Sequence, residues 1–216
     1  MKVLGINGSP RKQWNTATLL NKSLEGAASK GAETELIHLY DLTFKGCMSC
    51  FACKTIGGHS YGKCAVNDDL APILKKVEEV DAIIVGSPVY FGSVSGELRS
   101  FIERLLFPFL AYSNQARSLF PKKIPVGFIY TMNVPEEWAK QMAYEHQISQ
   151  HEMAFKLIFG GDVENLYSYD TYQFTDYSKV VSDLFDPEQK AKRREEVFPL
   201  DCERAYELGA RITGRQ

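Results

Sequence analysis

Three stretches of this chain hold residue types and spacings that can do chemistry. The first is Gly5-Ile-Asn-Gly-Ser-Pro-Arg-Lys-Gln-Trp-Asn-Thr, residues 5–16. Gly8 permits a tight turn, Ser9 and Thr16 offer hydroxyls, Asn15 an amide, and Arg11 a charge-assisted fork. Where such a run joins a strand to a helix, backbone amides and the positive end of the helix dipole face an anion. The run lacks the Gly-x-Gly-x-x-Gly of a dinucleotide site and the Gly-Lys-Ser/Thr ending of a nucleoside triphosphate loop, which leaves a monophosphate. The competing reading is an ordinary strand-to-helix turn capped by Asn15 or Thr16. The second stretch is Gly86-Ser-Pro-Val-Tyr-Phe-Gly-Ser, residues 86–93. There Tyr90 and Phe91 supply flat apolar surface, and backbone groups from Pro88 to Gly92 can meet the edge of a planar ligand. The third is Cys47, Cys50, Cys53 and Cys64, spelling C-x2-C-x2-C-x10-C. Three thiolates at intervals of three can converge on one iron–sulfur cluster, with a fourth arriving from further along the chain. Four thiolates suit zinc equally well, and free or redox-active thiols are the third reading. Cys202 stands apart as a small buried hydrophobe and His59 as an exposed loop residue.

The elements that must position these stretches follow from apolar periodicity. Val3, Leu4 and Ile6 make a short strand ending at the first loop, and Leu20, Leu24, Ala27 and Ala28 recur at helical spacing after it. Residues 33–39 alternate charged and apolar positions, as an edge strand does. Leu70, Ile73, Leu74 and Val77 mark a second helix, and Ala82-Ile-Ile-Val85 reads as a strand buried on both faces. Leu98 to Phe109 give a third helix whose end Pro108 marks. A strand over 126–130, a helix over 136–159, a strand over 163–169 and a last helix over 187–211 complete the series. Strands alternating with helices predict an α/β fold in which a doubly wound, five-stranded parallel sheet of order 2-1-3-4-5 carries helices on both faces. That order sets the first two loops on either side of the crevice where it reverses, a slot for an isoalloxazine ring. Residues 1–216 read as one domain, with a cysteine-rich loop over 43–68 and a C-terminal extension from about Asp170.

Composition narrows the partners. With 25 basic and 27 acidic residues the formal charge is −2, so nothing points to nucleic acid. The basic run Lys190 to Arg194 reads as the solvated face of a helix. No apolar stretch approaches the ~20 residues needed to span a bilayer, and no leader pattern precedes the first strand; the expected location is the cytoplasm and no membrane partner is expected. Clustered cysteines there suggest metal or redox chemistry rather than a disulfide framework. The aromatic run Tyr167, Tyr169, Tyr172, Phe174 and Tyr177 suggests an interface in a homodimer or homotetramer, reaching a neighbour's pocket.

On the Gly-Ser-Pro-Arg loop with its following Asn-Thr, and on the Pro-Val-Tyr-Phe loop, the chain resembles the NADPH-dependent FMN reductase family, to about Pro135. The resemblance implies an FMN whose phosphate is held by Ser9, Arg11, Asn15 and Thr16, and whose ring is held by Pro88, Val89, Tyr90, Phe91 and Gly92. Thr131 and Asn133 resemble the family's third contact loop. The cysteine spacing and the Asp-Thr-Tyr-Gln-Phe run at 170–174 resemble the iron–sulfur flavoprotein branch. That branch implies a 4Fe–4S cluster on Cys47, Cys50, Cys53 and Cys64, although the gap from Cys53 to Cys64 is longer than the branch's compact spacing. The implied activity is an NAD(P)H-dependent oxidoreductase with no protein acid, base or nucleophile, since the flavin carries the chemistry. Electrons would pass to the cluster or to an external acceptor. An electron-transfer flavoprotein without NAD(P)H oxidation and a non-redox anion-binding protein are the rivals.

Overall fold

The computed structural model describes residues 1–214. Five parallel strands form the main sheet: β1 (Lys2–Asn7), β2 (Glu33–His38), β3 (Ala82–Tyr90), β5 (Ile124–Thr131) and β6 (Gly160–Ser168), in the order β2-β1-β3-β5-β6. A two-residue strand, β4 (Ser93–Val94), folds back antiparallel on the end of β3 and lies off this path. The five main strands therefore have the expected 2-1-3-4-5 order. Ala82 to Val85 of β3 are fully buried, as a central strand covered on both faces requires, whereas β2 has Glu33 and Glu35 exposed and the rest half-buried, as an edge strand does.

Helices cover both faces. Leu19, Leu20, Leu24 and Ala27 of α1 (Asn15–Ser29) share one core with Ala205, Leu208 and Ile212 of α7 (Phe198–Gly214). The opposite core takes α2 (Ala71–Glu79), α3 (Gly96–Phe109) and α5 (Tyr144–Phe159), with Phe101, Phe128, Phe155 and Phe159 at its centre. The α1 and α7 backbones nearly touch. A Cβ on Gly26 would lie 1.9 Å from the Tyr206 carbonyl oxygen, and one on Gly209 1.7 Å from that of Ser23.

Two expected helices are each broken in two. The helix expected over 136–159 divides into α4 (Glu136–Gln141) and α5, because Ala143 takes a left-handed conformation with φ of 54°. The helix expected over 187–211 divides at Val197 into α6 (Pro187–Glu196) and α7. Pro199 accounts for that break, since its ring opposes the carbonyl four residues earlier, yet it is tolerated in the first turn of α7. Pro108 lies one residue inside the end of α3. No helix among the described residues is long and apolar enough to cross a membrane.

Candidate functional site

The strand order reverses at β1 and β3, and the loop after β1 turns there into α1. Two contacts hold it against the neighbouring strand: the Gly8 amide donates to the Gly86 carbonyl at 2.8 Å, and the Ser95 hydroxyl to the Gly8 carbonyl at 2.6 Å. Gly8 is needed for closeness rather than for an unusual turn. It has no positive φ, but a Cβ would lie 2.8 Å from that of Leu98. Ser9 donates from its amide to Asn7 Oδ1 at 3.0 Å and accepts at its hydroxyl from the Arg11 amide at 3.2 Å.

Neither Asn15 nor Thr16 caps α1, contrary to the capping expectation. Trp14 occupies the cap position without a side-chain hydrogen bond, and the first turn carries no acidic residue. Asn15 and Thr16 sit in that turn with buried side chains that line a crevice of about 120 Å³. The same crevice is lined by Ser9 and Arg11, by Pro88, Val89 and Tyr90 of β3, by Thr131 at the end of β5 and by Asn133 just past it. Thr16 and Thr131 share a hydroxyl hydrogen bond of 2.7 Å across it. Three segments far apart in sequence thus converge. Phe91 and Gly92, the other two residues expected at the ring, do not line the crevice. Phe91 is fully exposed with φ of 51°, and Gly92, with φ of 76°, turns its α-carbon toward Gln147 on α5.

The arrangement fits an anion attached to a larger polar ligand. An uncapped helix end free of carboxylates leaves amide donors and a positive dipole facing the crevice. Asn133 Oδ1 is a buried crevice oxygen without a hydrogen-bond partner, and such an atom calls for a donor.

Sequence reasoning missed the segment that closes this crevice. Thr171 and Gln173 line it, and three donors of the first loop end on the carbonyls of their neighbourhood. Arg11 Nη1 donates to the Gln173 oxygen at 2.6 Å, while Trp14 Nε1 and Asn15 Nδ2 donate to the Tyr172 oxygen at 3.0 and 2.9 Å. The Arg11 guanidinium also stacks on Trp14, 4.0 Å from the ring centre. The aromatic run expected at an exposed interface is tied up within the chain. Tyr167 stacks on Tyr169, Tyr172 and Phe174 pack on Tyr177, and none of the five is exposed.

The four cysteines line one small cavity with Arg104 and Phe107. Cys47 and Cys50 are exposed, Cys64 half-buried and Cys53 buried, where desolvation pushes its thiol pKa up. Among the described residues no three are arranged to hold a metal ion. The donor set, four thiols on one cavity, suits a cluster or zinc. Arg104, almost wholly buried, staples the loop. It donates to Cys64 Sγ at 3.2 Å, to the Lys45 and Val66 carbonyls at 3.1 and 3.2 Å, and to both Asp68 oxygens at 2.6 and 3.0 Å. Lys54 gathers the carbonyls of Phe107, Pro108 and Leu110 at the end of α3. His59 is exposed as expected, and Cys202 is half-buried against the α1–α7 core.

Comparison with known proteins gives three findings. The model of the NADPH-dependent FMN reductase family matches residues 1–145. An iron–sulfur flavoprotein of Methanocaldococcus jannaschii is 47% identical over 104 residues, 48% of this chain and 51% of that protein. One of Archaeoglobus fulgidus is 43% identical over 104 residues, 48% of each. The chain thus spans about half the length of these curated relatives. Among solved structures, an NAD(P)H:quinone oxidoreductase from Methanothermobacter marburgensis superposes with a TM-score of 0.70 at 12% identity, covering 100% of this chain and 98% of that one. An FMN-dependent NADH-azoreductase from Bacillus anthracis, in complex with FMN, gives 0.65 at 14% identity, covering 99% of each. At those identities the likeness is one of fold.

Proposed function

The chain belongs to the NADPH-dependent FMN reductase family, and from that premise we propose that it is an FMN-dependent oxidoreductase that takes hydride from NADH or NADPH and hands the electrons on. The observation that carries this reading is the convergence of residues 9–16, 88–90 and 131–133 on one crevice at the point where the strand order reverses. Ser9, Arg11, Asn15, Thr16 and the first amides of α1 would hold the phosphate. Pro88, Val89, Tyr90, Thr131 and Asn133 would hold the ring, with the Asn133 oxygen accepting from it. When bound, FMN supplies the redox chemistry, so the chain need only bind, orient and leave one face open to the nicotinamide. Tyr90, partly exposed at the crevice mouth, borders that open side.

Cys47, Cys50, Cys53 and Cys64 are assigned on the same footing to a 4Fe–4S cluster. Their shared cavity and the names of the relatives matched over about half their length support the assignment. An absorption spectrum, with iron and acid-labile sulfide analysis, on protein purified without oxygen tests both parts. Flavin bands with NAD(P)H-dependent bleaching are expected, together with a broad iron–sulfur shoulder. Flavin bands without bleaching would replace the reductase with an electron carrier, and a colourless protein that FMN does not reconstitute would refute the flavin. Zinc without sulfide would refute the cluster.

A further inference from the structure

Of the basic run in α6 only Lys192 is solvated as expected; the other three basic residues are not. Lys190 is 2% exposed, and Arg193 and Arg194 turn inward with it. A buried lysine on a surface helix carries a large desolvation cost and is retained only with partners. Both Lys190 and Arg194 find theirs at the crevice. Lys190 Nζ donates to the Asn133 carbonyl at 2.5 Å and to the Asp170 carboxylate, so one ammonium ties the third contact loop to the start of the closing segment. That segment is further fastened by the Asp170 amide on the Val134 carbonyl and the Thr171 hydroxyl on the Met132 carbonyl. One turn along α6, Arg194 Nη1 donates to Asn15 Oδ1 at 2.7 Å while its guanidinium lies over the Phe198 ring.

Arginine has donors and no acceptor. Facing Arg194, the Asn15 amide must present its oxygen, which leaves its NH₂ pointing at the crevice. One hydrogen of that NH₂ goes to the Tyr172 carbonyl, and the other remains for a ligand. The Tyr172 and Gln173 carbonyls orient Trp14 and Arg11 in the same way, each using one donor and leaving Arg11 several.

From these contacts we infer that Lys190 and Arg194 are positioning residues for the phosphate end of the cofactor: Arg194 sets the Asn15 amide, and Lys190 holds the 170–173 segment that sets Arg11 and Trp14. Both lie beyond residues 1–145, outside the part of the chain that the family match covers. The inference rests on the FMN reading above and assigns the phosphate side of that site, not its ring side.

The test compares two flavins that differ only in the phosphate. Affinities of FMN and riboflavin are measured, by quenching of flavin fluorescence, for the wild-type chain, Arg194→Met, Arg194→Lys and Lys190→Met. Arg194→Met should weaken FMN by about ten- to a hundredfold, the loss expected when charge-assisted hydrogen bonds are mis-set, with riboflavin affinity unchanged; Lys190→Met, whose ammonium also holds the Asn133 backbone on the ring side, should weaken FMN several-fold more than it weakens riboflavin. Arg194→Lys, which keeps a donor, should recover part of the loss. Equal weakening of both flavins would show that α6 merely supports the fold and would overturn the inference, as would undiminished FMN affinity in Arg194→Met. Wild-type protein that binds FMN no better than riboflavin would instead overturn the phosphate reading on which the inference stands.

Discussion

Replacing Arg104 with Met keeps length and apolar bulk but removes a guanidinium that makes five hydrogen bonds in the cysteine loop, two of them to Asp68. Breaking a buried ion pair from one side costs about 3–5 kcal/mol, because the remaining charge is left uncompensated. The Asp68 side chain is 19% exposed and keeps the Leu70 amide as a donor, which places the expected loss at the low end, about 3 kcal/mol. For a chain of this size that corresponds to a fall in Tm of roughly 6–12 °C. The pH dependence has a definite sign. Hydrogen bonding from Arg104 holds the Asp68 carboxyl below its ordinary value, so the folded state favours the ionised form. The pair's contribution is present above about pH 4, the range where the unfolded carboxyl is ionised, and is lost as the pH falls through the folded pKa. Urea unfolding of wild type and Arg104→Met between neutral and acid pH should therefore converge toward the acid end. Because Cys64 loses its donor and the loop its staple, Cys53 and Cys64 should also be alkylated faster in the folded variant. A loss below about 1 kcal/mol with unchanged alkylation would refute the view that Arg104 organises this loop.

Exchanging Ser9 and Asn15 together for Ala should weaken FMN binding, each lost hydrogen bond to a charged phosphate being worth ~1.5–3 kcal/mol, while circular dichroism stays native; unchanged affinity would displace the phosphate from this loop. Cys50→Ala should deplete iron and sulfide together with FMN retained, and separate losses in elemental analysis would rule out one shared cluster. Burial, with Arg99 nearby, lowers the His151 pKa, so protons favour the unfolded chain and stability should fall as pH drops below about 6.5; His151→Gln should flatten that slope in urea titrations. Exposed Phe51, Tyr112 and Leu157 line a groove of about 690 Å³ between α3 and α5, and a homodimer or homotetramer is expected in sedimentation; a monomer at micromolar concentration would end that expectation.

What the sequence made legible was contiguous. Residues 5–16 and 86–93 carry their chemistry in neighbouring positions, and the apolar run Ala82–Val85 announces the central strand between them. The 170–174 run stood out as a resemblance and as part of an aromatic stretch, but its role at the chain's own crevice was hidden for a physical reason: Tyr172 and Gln173 act through backbone carbonyls, which every residue type possesses, on partners more than 150 positions away. The role of α6 was hidden similarly, since a basic run has the same composition whether solvated or turned inward. Pro199 was a readable helix-break signal, whereas nothing in the sequence marks Ala143 for a left-handed backbone. Phe91 shows the opposite error. Its aromatic character suggested a ring contact, but the Phe91–Gly92 turn into β4 swings it into solvent.

The near-contact of Gly26 with Tyr206, and of Gly209 with Ser23, sets an order of events during synthesis. Helix α1, whose first turn faces the crevice, leaves the ribosome early, but the surface it packs against is encoded almost two hundred residues later. Until α7 has emerged, the apolar side of α1 can pack on Val3, Ala82, Ile84 and Ile129 of the sheet but lacks the second helix that completes its core. A nascent chain arrested before Phe198 would carry Ser9, Arg11, Asn15 and Thr16 against the sheet without the α7 face packed behind α1. The loop that lines the crevice thus appears first, and the helix that completes the core behind it appears last.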